Sequence, residues 1–234
     1  MKVASCLVAS VFVAGLASAS GATQAIRVPP GYGVEVYARG LVRPTALAFG
    51  PGNRLYATQE SGEVVRVDRG SRRPKVLLRG FRSPLGLTWF RRALVVSAQG
   101  TLWRVLGGQR APIVKNLPFG LHQQDTVVVY RGRLYFGSGS TCNACVEQSR
   151  LSAAVLSVRL DGRGLRVESS GLRNPFGLAV KPGGGRLFAS VNGRDDLGRG
   201  APAEMVVEIR RGRRFGWPAC WPSYARKRLR GRCR

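Results

Sequence analysis

Acidic residues are scarce in this chain of 234 residues: 12 stand against 38 lysines and arginines, for a formal charge of +26. Histidine occurs once, at His122. With one histidine and no G-x-S-x-G elbow around Ser138-Gly139-Ser140, a Ser-His-Asp hydrolase is a poor fit. No phosphate loop or dinucleotide fingerprint is present, so neither class of nucleotide enzyme is indicated. No stretch carries sustained helical periodicity. The one long apolar run, Val3–Leu16, is short for a membrane span and is followed by small polar residues.

That run has the form of a secretory signal. Lys2 precedes it, and Ala17-Ser18-Ala19 or Thr23-Gln24-Ala25 would serve as the cleavage site. Residues 1–25 are therefore read as a signal peptide and 26–234 as one exported domain. Export removes Cys6 and leaves Cys142, Cys145, Cys220 and Cys233. An even number in an oxidising compartment implies two disulfides, most simply 142–145 and 220–233. Haem attachment is not indicated, because Val146 stands where the histidine of that motif would be. The 220–233 spacing is not that of a zinc knuckle, and no histidine lies near it.

Of the basic residues, 33 are arginine. They are scattered through turns and strands without stacked aromatics between them, and only Ala225–Arg234 is a basic run. A solvated, arginine-rich surface accounts for this better than a specific nucleic-acid site does.

Glycine is abundant, with 31 residues, as many short strands joined by tight turns require. Three stretches share one pattern, a proline-centred turn entering an apolar strand: Gly40–Phe49, Gly80–Trp89 and Gly171–Val180. The second strands of successive units align at Leu55, Leu94, Leu134 and Leu187, which are 39, 40 and 53 residues apart. A strand-rich period near 40 predicts the blades of a β-propeller, about four in number. Val34–Tyr37 is a further strand candidate that would close the ring.

First-to-second turns are minimal, whereas Gly137–Ala153 and Val191–Ala203, between second and third strands, are long. In an up-and-down blade these long connections share an end with the segments that enter each first strand. That end collects His122, Arg173-Asn174-Pro175, the Cys142–Cys145 loop and Asp195-Asp196, and long loops on a rigid scaffold are where function concentrates. His122 is either a general base or a polar loop residue with satisfied bonds. Pro175 matches Pro44 and Pro84 and is structural. Arg173 would clamp an anion bidentately, while Asn174 stands where polar residues are ordinary. Asn192–Asp196 with Glu204 is either a calcium site built from carbonyls and carboxylates or an Asp-rich turn paired with arginines.

The stretches GLVRPTALAFGPGNRLYATQ, GLHQQD, GSTCNAC, GLRNPFGLAV, NGRDDLG and FGWPACWP resemble the soluble sugar dehydrogenases that depend on pyrroloquinoline quinone (PQQ), the glucose/sorbosone dehydrogenase-like propellers. The resemblance implies an all-β, six-bladed fold of which this chain carries about four blades, as in a truncated member. It implies PQQ and Ca²⁺ as cofactors, an aldose or sorbosone-type sugar as substrate and a separate electron acceptor. His122 falls where that family has its catalytic base, and Arg173 and Asn174 fall where it contacts the quinone. Gly193 and Arg194 fall where main-chain carbonyls hold calcium, and Glu204 lies in the segment that orders that region. Ser83-Pro84-Leu85-Gly86 replaces a Gln-bearing segment, and Phe215 replaces a tyrosine. A non-catalytic exported propeller binding a saccharide or protein is the alternative. A lactonase-type hydrolase would need more carboxylates on the loop end.

Overall fold

The computed structural model describes residues 26–198, 203–223 and 228–233. The signal-type segment 1–25 and residues 225–227 and 234 of the basic run lie outside the described residues. The chain divides into two units, 1–36 and 37–234. Of the first, residues 26–36 hold no regular element, only a turn in which the Tyr32 N–H donates to the Pro29 carbonyl at 3.2 Å. The strand expected at Val34–Tyr37 is absent. Tyr37 gives its carbonyl to the Gly70 N–H at 2.7 Å, and the Arg39 N–H donates to Ser71 O at 2.8 Å, so this stretch is tied to a turn rather than to a ladder.

The second unit is built of blades. β1 (Pro44–Gly50), β2 (Arg54–Gln59), β3 (Glu63–Val67) and β4 (Lys75–Leu78) form one antiparallel sheet in sequence order. β5 (Gly86–Phe90), β6 (Ala93–Ala98), β7 (Thr101–Leu106) and β8 (Gln109–Val114) form the second. β9 (Gln124–Tyr130), β10 (Arg133–Ser138), β11 (Ala154–Val158) and β12 (Arg166–Ser170) form the third. β13 (Asn174–Val180), β14 (Leu187–Asn192) and β15 (Met205–Ile209) form the fourth, which has three strands. The chain then leaves this blade. β16 (Arg213–Arg214) adds in parallel to β12 of the third blade, and β17 (Cys220–Ser223) pairs with β18 (Arg228–Gly231) as a hairpin. Among the described residues no helix is long and apolar enough to cross a membrane.

Local chemistry explains the turns. In the two-residue turn between β9 and β10, Arg131 and Gly132 both have positive φ, 46° and 70°, the geometry whose twist matches a hairpin. The core lies between the blades. Val95, Leu102, Val127, Leu134 and Phe136 join blades two and three, and Tyr135, Val155, Leu178 and Leu187 join blades three and four. The repeat shows what this packing requires. At one position of the third strand, Val64, Leu102 and Val155 are 0% exposed, whereas Val206 of the fourth blade is 77% exposed. At one position of the first strand, Leu87, Val127 and Leu178 are 5%, 1% and 8% exposed, whereas Leu47 of the first blade is 59% exposed. The same apolar pattern is thus buried wherever a neighbouring blade covers it and open at the two ends of the array.

Candidate functional site

The loop-bearing end is knitted together by main-chain bonds. The Leu121 N–H donates to Thr141 O at 2.8 Å, His122 N–H to Ser140 O at 3.0 Å, and Gly139 N–H to Gln123 O at 2.8 Å. Ser140 N–H in turn donates to Arg173 O at 2.7 Å. The segment before β9, the start of the β10–β11 connection and the segment before β13 therefore run side by side. Gly139 makes the close approach possible: a Cβ there would collide with His122 Cβ and stand 2.7 Å from Asn174 Oδ1. The two glutamines before and at the start of β9 are anchors. Gln123 Nε2 donates to Ser83 O, and Gln124, which stands where the other copies have proline, accepts from Gly100 N–H and donates to Pro118 O.

His122 is half-buried, and its Nδ1 lies 3.0 Å from Ser140 Oγ and 3.2 Å from Ser140 O. The carbonyl only accepts, and the Ser140 hydroxyl spends its proton on Cys142 O at 2.7 Å. Nδ1 therefore carries the hydrogen, and Nε2 keeps a lone pair. Burial lowers the imidazole pKa, and the positive charge of Arg173 lowers it further, against opposing pulls from Ser140, Asp195 and Glu147. His122 is thus neutral at pH 7, with one basic nitrogen.

Arg173 is 3% exposed, although its repeat counterparts Val42 and Arg82 lie on the surface. Its Nε donates to Asn143 O at 3.1 Å, and its Nη2 donates to Asn143 Oδ1 at 2.7 Å and to Asp195 Oδ2 at 2.5 Å. A buried cation needs such partners. Asn174 also departs from its counterparts. Arg43 and Ser83 have positive φ at the turn, whereas Asn174 opens β13 and pairs with Asn192. Asn174 is buried, and its Oδ1 has no partner among the described residues. An unpaired buried amide oxygen is costly unless something fills the need.

The acidic loop is engaged residue by residue. Glu204 Oε2 accepts from Gly193 N–H at 3.0 Å. Arg194 grips Asp196 with two bonds of 2.9 and 2.7 Å and lies over the Trp221 ring. This fork holds the Asp196 carboxyl down at about 2. Asp195 is taken by Arg173. Among the described residues, the one trio of His, Cys, Asp or Glu ligand atoms close enough to share an ion is Cys142, Cys145 and Glu147. Those two sulfurs are joined to each other, and Glu147 accepts from Thr141 N–H and Oγ1–H. The expected disulfides, 142–145 and 220–233, are both formed.

His122, Arg173 and Asn174 thus come together, with Asp195 bridging toward Gly193, Arg194 and Glu204. Sequence reasoning missed two residues. Asn143 is the acceptor that holds Arg173, and nothing marks it beyond its place between two cysteines. Asp125 is buried in β9, with Oδ2 unpartnered among the described residues, and burial pushes its carboxyl up to about 8. It is the one charged residue at a repeat position held elsewhere by Thr45, Leu85 and Phe176, a signal that was readable. A cleft of about 490 Å³ opens at the opposite end, between blades three and four, lined by Arg131, Arg166 and Arg211. Glu168 and Glu208 beside it are already bonded to Ser157 and Arg210.

No family model matches the sequence, and no curated protein matches it. Solved structures do match the fold. The PQQ-bound aldose sugar dehydrogenase of Streptomyces coelicolor superposes with a TM-score of 0.68 at 24% identity, over 79% of this chain and 65% of that one. A putative oxidoreductase (glucose dehydrogenase) of Thermus thermophilus gives 0.62 at 24% identity, over 79% and 66%. The PQQ domain of pyranose dehydrogenase from Coprinopsis cinerea gives 0.66 at 18% identity, over 78% and 56%. The chain therefore spans about 65% of the length of the first of these. What it shares with these sugar dehydrogenase structures is an all-β propeller fold, here of four blades.

Proposed function

We propose that the loop-bearing end is the active site of an exported sugar dehydrogenase that uses PQQ and Ca²⁺ to oxidise an aldose or sorbosone-type sugar. The carrying observation is the grouping of a neutral histidine with a free Nε2, a buried guanidinium and a buried amide oxygen without a partner. The guanidinium charge of Arg173 fits an anionic, carbonyl-rich cofactor such as PQQ, whereas Asn174 Oδ1 accepts only and would meet a donor of the cofactor, not its carbonyls. Arg173 supplies charge and is held in place by Asn143 and Asp195. PQQ, when bound, supplies the hydride acceptor. His122 Nε2 takes the proton from the sugar hydroxyl undergoing oxidation, and the imidazolium so formed keeps its Nδ1–H on Ser140. The calcium donors would be the main-chain carbonyls of Gly193 and Arg194, with Glu204 ordering the loop through the Gly193 N–H. Support for this reading comes from the likeness to PQQ-bound propellers and from the motifs around these residues.

The test is PQQ binding, followed by cofactor absorbance, with and without Ca²⁺, and sugar-dependent reduction of a dye. His122→Ala is expected to keep the fold and the binding and to lose turnover by about 10²-fold or more, the usual scale of general-base loss. A folded sample that does not bind PQQ would overturn the proposal. A second reading, a non-catalytic propeller binding a saccharide, is favoured by one observation: the carboxylates are already engaged, Asp195 by Arg173, Asp196 by Arg194 and Glu204 by the Gly193 N–H. It predicts saccharide binding indifferent to PQQ and to His122→Ala.

A further inference from the structure

We propose that the Cys142–Cys145 loop is a positioning clamp, in which Asn143 sets the place of Arg173 and the Cys142 carbonyl sets the orientation of the His122 ring. The catalytic consequence rests on the reading above, but the clamp itself does not. Among the described residues, four hydrogen bonds leave this short loop, three to Arg173 and Asp195 and one to Ser140, which faces His122. Cys142 O accepts the Ser140 hydroxyl, which leaves that oxygen facing His122 Nδ1 as an acceptor. Asn143 O and Oδ1 both accept from Arg173. Asn143 Oδ1 also accepts from Asp195 N–H at 3.2 Å, so one amide oxygen links the third-blade loop to both the entry of β13 and the β14–β15 loop.

The loop is not held by a core of its own. Cys142, Asn143 and Cys145 are half-exposed, Ala144 is exposed and Val146 is 83% exposed. Such a segment has little packing to order it, and ordering its backbone costs conformational entropy. The disulfide joins its ends covalently, and Glu147 pins the outgoing side to Thr141. The burial of Arg173, unlike that of its counterparts Val42 and Arg82, follows from having this loop beside it. The other disulfide, Cys220–Cys233, closes the β17–β18 hairpin and serves as a control.

A single histidine makes the test direct, because imidazole ¹⁵N resonances report His122 alone in the full chain. In the wild type, neutral His122 is expected as the Nδ1–H tautomer, titrating below the ordinary imidazole range. The charged groups acting on it are Arg173, Asp195 and Glu147. Cys142→Ser/Cys145→Ser should lower the Nδ1–H population, because Ser140 O alone is then left as an obligate acceptor for Nδ1, and should move the titration up. Asn143→Leu keeps the disulfide and the Cys142 carbonyl, so the tautomer should persist while the titration rises as Arg173 loosens. Cys220→Ser/Cys233→Ser should change neither. If PQQ binds the wild type, Asn143→Leu should weaken turnover roughly 10- to 100-fold, as losing a supporting partner does. Asn143→Asp, which keeps both acceptor oxygens, should restore most of it.

Folded Cys142→Ser/Cys145→Ser and Asn143→Leu proteins with wild-type tautomer and titration would overturn the clamp. If the double variant does not fold, Asn143→Leu decides by its titration. If the wild type fails to bind PQQ, the functional reading falls while the resonance measurements still decide the clamp.

Discussion

Val155 and Val206 occupy the same position of the third strand in blades three and four, so truncating each to alanine isolates what blade-to-blade packing contributes. Val155 is fully buried between blades, among Tyr135, Leu178 and Leu187. Val→Ala removes two carbon groups, worth about 0.8 kcal/mol each in transfer from water, and leaves a cavity. A loss of about 2–3 kcal/mol is expected. In a chain of this size each kcal/mol moves the melting temperature by about 2–4 °C, so Val155→Ala should melt roughly 5–10 °C early. Val206 has no blade against it, and its truncation should stay within about 0.5 kcal/mol. Urea unfolding followed by circular dichroism measures both. Comparable losses at the two positions would mean that something covers Val206 in solution as blade four covers Val155, and that blade-to-blade packing is not what separates them.

Two further outcomes follow from the site. Asp125 has its folded pKa raised to about 8, so it is neutral at pH 7, and its contribution is complete below the unfolded value and is lost as pH rises through 8. Wild-type stability should therefore fall by up to about 1.4 kcal/mol per pH unit between roughly 4 and 8, and Asp125→Asn should abolish that slope. Parallel profiles in urea titrations at pH 5, 7 and 8.5 would count against it. Gly139→Ala puts a methyl group against His122 Cβ and beside Asn174 Oδ1, which should cost about 1–3 kcal/mol and shift the His122 resonances. Unchanged melting together with unchanged resonances would show that the three segments are looser than their contacts indicate.

The blades were legible because their signals are local. Alternating apolar residues, minimal turns and a repeated proline are each written within a few residues, and the aligned leucines Leu55, Leu94, Leu134 and Leu187 fall in β2, β6, β10 and β14. β16 was invisible. It is two arginines with no apolar pattern, and its partner, β12, lies far back in the chain. Asn174 was judged by counterparts whose backbone it does not share, since Arg43 and Ser83 are left-handed and Asn174 is not.

The amino-acid sequence by itself determined the kind of unit and its repetition, the cysteines that pair, and the set of loops that share one end. These depend on pattern and count. The surroundings of each loop residue come from the tertiary structure alone. Arg173, Arg82 and Val42 hold one repeat position, yet Arg173 alone is buried, because the Cys142–Cys145 loop of another blade lies against it. His122 has a defined tautomer because two acceptors face its Nδ1, the Ser140 carbonyl and a Ser140 hydroxyl already committed to Cys142 O. Burial and hydrogen-bond direction are set by which distant segments meet, and that information lies between residues rather than in any one stretch.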